Sequence, residues 1–178
     1  MKTLFTIIWL FPIIFMIHDF EEILMINVWQ EKNKQYIQSR KGKYIPYNFN
    51  GSTASIAFGV ALEFVIISAL TTICYLLSSF IAWFGFFTAF TLHLIFHIIM
   101  TINFKKYVPG VATSVIFIPL CFFMLYKVTN NILLNYNVLI LLFSILISIL
   151  IMISIIFVLH KAVKHFNLWL KMYKTNSI

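Results

Sequence analysis

Acid is scarce in this sequence. Of 178 residues only five are Asp or Glu, against thirteen Lys and Arg, and charged residues make up 10% of the chain. With 62% hydrophobic residues besides, the chain cannot clothe itself in a solvated surface, which excludes an ordinary soluble domain and indicates a polytopic membrane protein. Cysteine is nearly missing: Cys74 and Cys121 stand in apolar runs without CxxC spacing. That excludes a disulfide framework and a thiolate zinc site, and leaves two inert buried thiols. The first apolar run lacks a small-residue cleavage site, so it reads as a retained span and not as a signal peptide. No internal repeat of useful length is found. A net charge of +8 would suggest nucleic acid in a soluble protein. Here the lysines sit in loops and at the tail, where they speak for topology and anionic lipid, and nucleic acid is set aside as a partner.

What the sequence does have is five long apolar stretches, at 3–28, 54–78, 81–103, 111–129 and 138–159. About 20 apolar residues suffice to cross a bilayer, so the expected fold is all-α, one membrane domain of about five transmembrane helices. A polar loop at 30–53 carries Lys32, Lys34, Arg40, Lys41 and Lys43, with Gly42, Pro46 and Gly51 as breakers. Trp29 and Trp83 fall where interface anchors belong, and Pro119 inside the fourth span predicts a kink. In the tail, 160–178, Val163, Phe166, Leu170 and Tyr173 share one stripe with the lysines elsewhere. An interfacial helix or a frayed solvated end fits that pattern, and His160 and His165 are assigned to it. One side of the membrane collects eleven Lys and Arg and the other two, which puts the N-terminus outside and the C-terminus in the cytoplasm.

The acids are few but oddly placed. Asp19, Glu21, Glu22 and Glu63 all lie inside apolar segments, where each charged group costs roughly 2.5–3.5 kcal/mol on insertion scales and usually serves a function. On a helix Glu21 and Glu22 fall three and four positions after His18, so the three share a face. His93 and His97 are four apart, the spacing at which two imidazoles chelate one ion. Glu63 follows Ser55 and Gly59 at four-residue steps, on a face that can approach a neighbour closely. At about 1.5 Å per residue, His18, Glu21, Glu22, Glu63, His93 and His97 lie roughly 9 to 16 Å from the cytoplasmic ends of their spans, in one layer.

Such a layer suits a divalent transition metal, zinc or iron(II), and carboxylates with imidazoles on several bundle helices also build di-iron and di-manganese centres. The expected ligands are His18, His93, His97 and one of Glu21 or Glu63, with Glu22, or the remaining acid, as general base. Asp19, about 100° round the helix from His18, serves as a supporting or packing group. Gly110, Thr113 and Ser114 open the fourth span, either as a simple helix start or as a headgroup site for substrate.

His18-Asp19-Phe20-Glu21-Glu22, followed by His97, Tyr107-Val108-Pro109-Gly110 and Pro119, resembles the HXXEE family of small bacterial integral membrane proteins. The likeness runs from the first through the fourth span and carries over to His18, Glu21, Glu22, His97, Pro109 and Gly110. It implies an integral membrane enzyme without an established reaction. Taken together, the expectation is a membrane-embedded metal-dependent hydrolase of a lipid, lipid-linked or membrane-peptide substrate, with an oxidative di-metal enzyme as variant. A metal-free glutamate-dependent protease and a proton-coupled or metal-ion transporter stand as alternatives. The loop at 30–53 offers a docking segment for a partner, and the oligomeric state is left open.

Overall fold

The computed structural model describes residues 2–39, 45–47, 51–134 and 136–175, with the side chains of 2–4 excepted. Arg40, Lys41, Gly42 and Lys43 of the basic loop and the last three residues of the tail lie outside these. The described residues form helices and no strand: α1 (Lys2–Lys32), α2 (Lys34–Ser39), α3 (Thr53–Leu76), α4 (Phe80–Phe104), α5 (Val111–Val128) with a π-turn at Thr129–Leu133, and α6 (Val138–Thr175). Four helices among them are long and apolar enough to cross a membrane, Thr53–Leu76, Phe80–Phe104, Val111–Leu133 and Val138–Thr175. α1, which the sequence suggests as a fifth crossing, is a 31-residue helix packed among them.

Local chemistry sets the boundaries. The Ser52 hydroxyl accepts from the Ser55 amide at 3.2 Å and starts α3. Lys105 ends α4 in the left-handed conformation, at φ 59°. Between α3 and α4 the chain reverses in three residues, with Ser78 at φ 52°. α5 runs on through Pro119; at its far end Thr129–Leu133 is wound into the π-turn.

Aromatic side chains from α1 and α4 fill the centre, with Phe11, Trp83, Phe87 and Phe90 all fully buried. Trp83 stacks on Phe87 at 4.7 Å, and Phe11 meets the Phe87 ring edge-on at 5.1 Å. Trp83 is therefore a core residue and not the boundary marker expected of it. Trp29 is buried too, its indole N–H donating to the Tyr107 carbonyl. In both cases the ring buries more area inside the bundle than it would at an interface.

The fifth span and the tail are one helix. At about 1.5 Å per residue, 38 residues make α6 about 57 Å long, well over the roughly 30 Å hydrocarbon core. The tail stays helical to Thr175 and packs on α3 as far as Asn167: Phe166 stacks on Phe58 at 4.2 Å, and Asn167 Oδ1 accepts from the Ser52 amide at 3.4 Å. Higher up, α6 presses on α4 at Gly85, where a β-carbon would meet Ser144 Oγ at 2.6 Å and collide with Ser148 Oγ. The Ser144 hydroxyl donates to the Ile81 carbonyl at 2.8 Å across the same contact. The opposite side of α6 exposes Leu139, Phe143, Leu146, Leu150 and Phe157, as a lipid-facing surface does.

Gly85→Val should therefore destabilise the bundle by overpacking, by about 1–3 kcal/mol. Thermal unfolding in detergent checks this: the variant melts lower, whereas Leu146→Val on the exposed face melts as the wild type does.

Candidate metal centre

Two helices each contribute a pair of side chains one turn apart. α1 brings His18 and Glu22, and α4 brings His93 and His97. One ligand atom from each of the four lies within 4.8 Å of the others. His97 Nε2 stands 3.0 Å from Glu22 Oε1 and 3.0 Å from His93 Nε2, and His18 Nε2 lies 3.8 Å from Glu22 Oε1. His18 and His97 are buried, and the Glu22 side chain is 15% exposed.

The hydrogen bonds of His18 and His97 fix which nitrogen of those two rings carries a proton. His97 Nδ1 lies 2.9 Å from the Pro109 carbonyl, which only accepts, so Nδ1–H donates and, on a neutral ring, Nε2 holds the bare lone pair. His18 Nδ1 lies 2.9 Å from Thr113 Oγ1. That hydroxyl spends its own proton on Glu21 Oε2 at 2.6 Å, so His18 Nδ1–H donates to it. His18 Nε2 is thereby left bare as well, buried and without a hydrogen-bond partner among the described residues. Two imidazole lone pairs and a carboxylate oxygen converge on one point. Acceptors this close repel unless a cation, a metal ion or a proton, sits between them. The cluster can bind a metal ion, and imidazoles whose far nitrogens are anchored to a carbonyl and to a hydroxyl–carboxylate pair are how proteins orient metal ligands.

Glu21 faces away from the cluster. Gly110 begins α5 and has no side chain to cap it; Glu21 reaches over from α1 instead. It accepts from the Thr113 amide at 2.8 Å, the Ala112 amide at 3.3 Å and the Tyr107 hydroxyl at 2.6 Å, besides the Thr113 hydroxyl. A carboxylate at a helix N-terminus also meets the positive end of its dipole. Of the glutamates considered as ligands, then, Glu21 is drawn off as a helix cap. Glu63 stands on the wall of the adjoining cavity, and Glu22, expected as a base, sits in the cluster itself. Asp19 is buried and lines the same cavity.

Gly110, Thr113 and Ser114 lie behind the histidines and not on the cavity wall. At Gly110 the backbone is left-handed, at φ 86°, and a β-carbon would come within 2.6 Å of His97 Nδ1 and 3.0 Å of His18 Cε1. Only glycine fits there. Ser114 is fully buried in the first turn of α5. Gly110 and Thr113 lie directly against the imidazoles, as part of the helix start that was one of the two readings of these positions.

Tyr47 was not singled out from the sequence. Its hydroxyl lies 2.8 Å from Glu22 Oε1 and 2.9 Å from the Pro109 carbonyl. Burial, and then the Glu22 charge, push this phenol well above its ordinary range, so it stays a proton donor. Burial and the bond to Glu21 raise Tyr107 likewise. Tyr47 follows Pro46 in the polar loop, and no periodicity marks it. His160, assigned to a solvated tail, lines the cavity.

A family model described as a protein of unknown function with HXXEE motif matches residues 9–124. The chain belongs to this family. No curated protein and no solved structure matches it. The HXXEE letters now have separate physical tasks: His18 offers a lone pair, Glu21 caps α5 and steadies His18 through Thr113, and Glu22 supplies the anionic oxygen. The spacing puts all three on one face while letting the two glutamates point to different neighbours.

The proton assignment is open to a direct check. In histidine-15N-labelled protein without added metal, His18 and His97 should show Nδ1–H tautomers. Thr113→Val should return His18 to a tautomer mixture, while Thr113→Ser keeps it fixed.

Proposed function

We propose that this protein is a membrane-embedded metal-dependent enzyme, a hydrolase of a lipid, lipid-linked or membrane-peptide bond. In this reading α1 crosses the bilayer as a fifth span, with the N-terminus outside, the C-terminus in the cytoplasm and the site in the cytoplasmic leaflet. The excess of Lys and Arg on one side supports that orientation.

The observation that carries the proposal is the convergence of His18, Glu22, His93 and His97 on one point with the far nitrogens of His18 and His97 already committed. Three imidazoles and a carboxylate suit zinc or iron(II). A metal held there would polarise an oxygen and ease deprotonation of water. The chain's own groups supply the rest. Glu63, on the cavity wall, takes a proton from the attacking water, and Asp19 beside it is a second acceptor. Tyr47 holds Glu22 by a hydrogen bond and so limits its freedom to swing away.

The short His97–Glu22 contact also favours a second reading, in which a proton occupies the gap and the pair works without metal as a glutamate-dependent hydrolase. The transporter reading is weaker, because the cavity beyond the polar layer is walled by Phe11, Phe15, Leu70, Phe86 and Met152, which offer an ion no path.

Metal analysis by mass spectrometry on protein purified under metal-replete conditions separates the two. The wild type should hold about one equivalent of a transition metal, lost in His97→Ala and Glu22→Ala and kept in Glu63→Gln. A correctly folded wild type without metal would overturn the metalloenzyme and leave the proton-transfer pair.

A further inference from the structure

A cavity of about 890 Å³ opens between α1, α3, α4 and α6, and the polar cluster occupies only its middle. The helix register orders its contents. Gly59 of α3 faces Val163 of α6, where a β-carbon would come within 2.6 Å of Val163 Cγ2, and Phe58 stacks on Phe166. Lys164 is therefore level with Gly59, one helical turn or about 6 Å from Glu63 towards the start of α3. In the other direction the cavity continues to Leu70, about 10 Å beyond Glu63, the reach of an alkyl chain of roughly eight carbons. That arm is lined by Ile67, Leu70, Phe86 and Met152 and carries no charge. Among the described lining residues Lys164 is the one lysine or arginine, and His160 stands beside it one turn earlier on α6.

A cationic end, a reactive middle and an apolar end of fixed depth define an amphiphile. We propose that the substrate is a single-chain lipid with an anionic carboxylate or phosphate head, held with its head at Lys164, its chain in the Ile67–Leu70 arm and the bond to be cleaved between them. The inference rests on the reading of the His/Glu cluster as the reacting centre, but the cavity's selectivity does not depend on a metal. Head and bond are one turn apart, so the substrate's charge lies close to its linkage. A long diacyl lipid does not match the arm, and a peptide would leave Lys164 and the apolar end without partners suited to each.

The test uses the full-length protein in nanodiscs of phosphatidylcholine, with 11-(dansylamino)undecanoate as the fluorescent ligand and decanoate, decyl phosphate and decyltrimethylammonium as competitors. Both anions should displace the probe at about threefold lower concentration than the cation, the size of effect expected of a charge pair at an exposed lysine. Whichever anion competes better identifies the head. Lys164→Gln, an exposed position, should abolish the preference for anions, and Ile67→Trp, which shortens the arm, should weaken displacement by decanoate in protein that still elutes as the wild type. The same preference in His97→Ala, which lacks the metal ligand, keeps this inference even where no metal is found. Equal displacement by anion and cation, or a preference unchanged in Lys164→Gln, would overturn it with the metal centre intact.

Discussion

His97 Nε2 faces Glu22 Oε1 across 3.0 Å while its other nitrogen is committed to the Pro109 carbonyl, and the surrounding structure follows from holding that arrangement inside an apolar bundle. Two acceptors at this separation in a medium of low dielectric need a positive charge between them. Every neighbour keeps the acceptors where they are. The left-handed Gly110 lets the turn before α5 lie flat against both imidazoles, and Glu21 ties the first turn of α5 to α1 with three hydrogen bonds and the preceding Tyr107 with a fourth. The aromatic packing of Phe11, Trp83, Phe87 and Phe90 fixes α1 against α4, and so sets the distance between His18 and His97. The cluster gathers anionic and lone-pair density, to which the Tyr47 hydroxyl contributes one donor.

Much of this could be read from the residues, and the parts that could not have physical reasons. Long apolar runs give helices whose length and hydropathy outweigh other signals, so α3, α4 and α5 lie within a few residues of expectation. The grouping of His18 with His93 and His97 followed from the cost of polar groups in apolar spans, which leaves few explanations for their shared depth. The allotment of the glutamates did not follow. Adjacent residues on a helix diverge by about 100°, and whether Glu21 or Glu22 points to the cluster depends on where α5 begins. Tyr47 was hidden because a loop has no period, and the two buried tryptophans because length alone does not tell a membrane interface from a core. The continuity of α6 was obscured by the change at His160 from an apolar to a basic composition, a change of solvent and not of backbone.

The long α6 serves both the packing of the bundle and the wall of the cavity. Its upper part packs on Gly85 of α4 and exposes an apolar flank, while its lower part packs on α3 and puts His160 and Lys164 on the cavity wall. Structural support and the cationic rim thus come from one element. A shorter helix ending with the apolar run would leave the polar layer open on that side.

X-ray absorption at the metal edge of the metal-replete protein reads the ligand shell itself. Metal binding by His18, Glu22, His93 and His97 predicts a light-atom shell of three imidazole nitrogens and one carboxylate oxygen at about 2.0–2.2 Å, with the multiple-scattering signature of three rings that falls to two in His18→Ala. A shell without imidazole scattering, or one unchanged in His18→Ala, would contradict it.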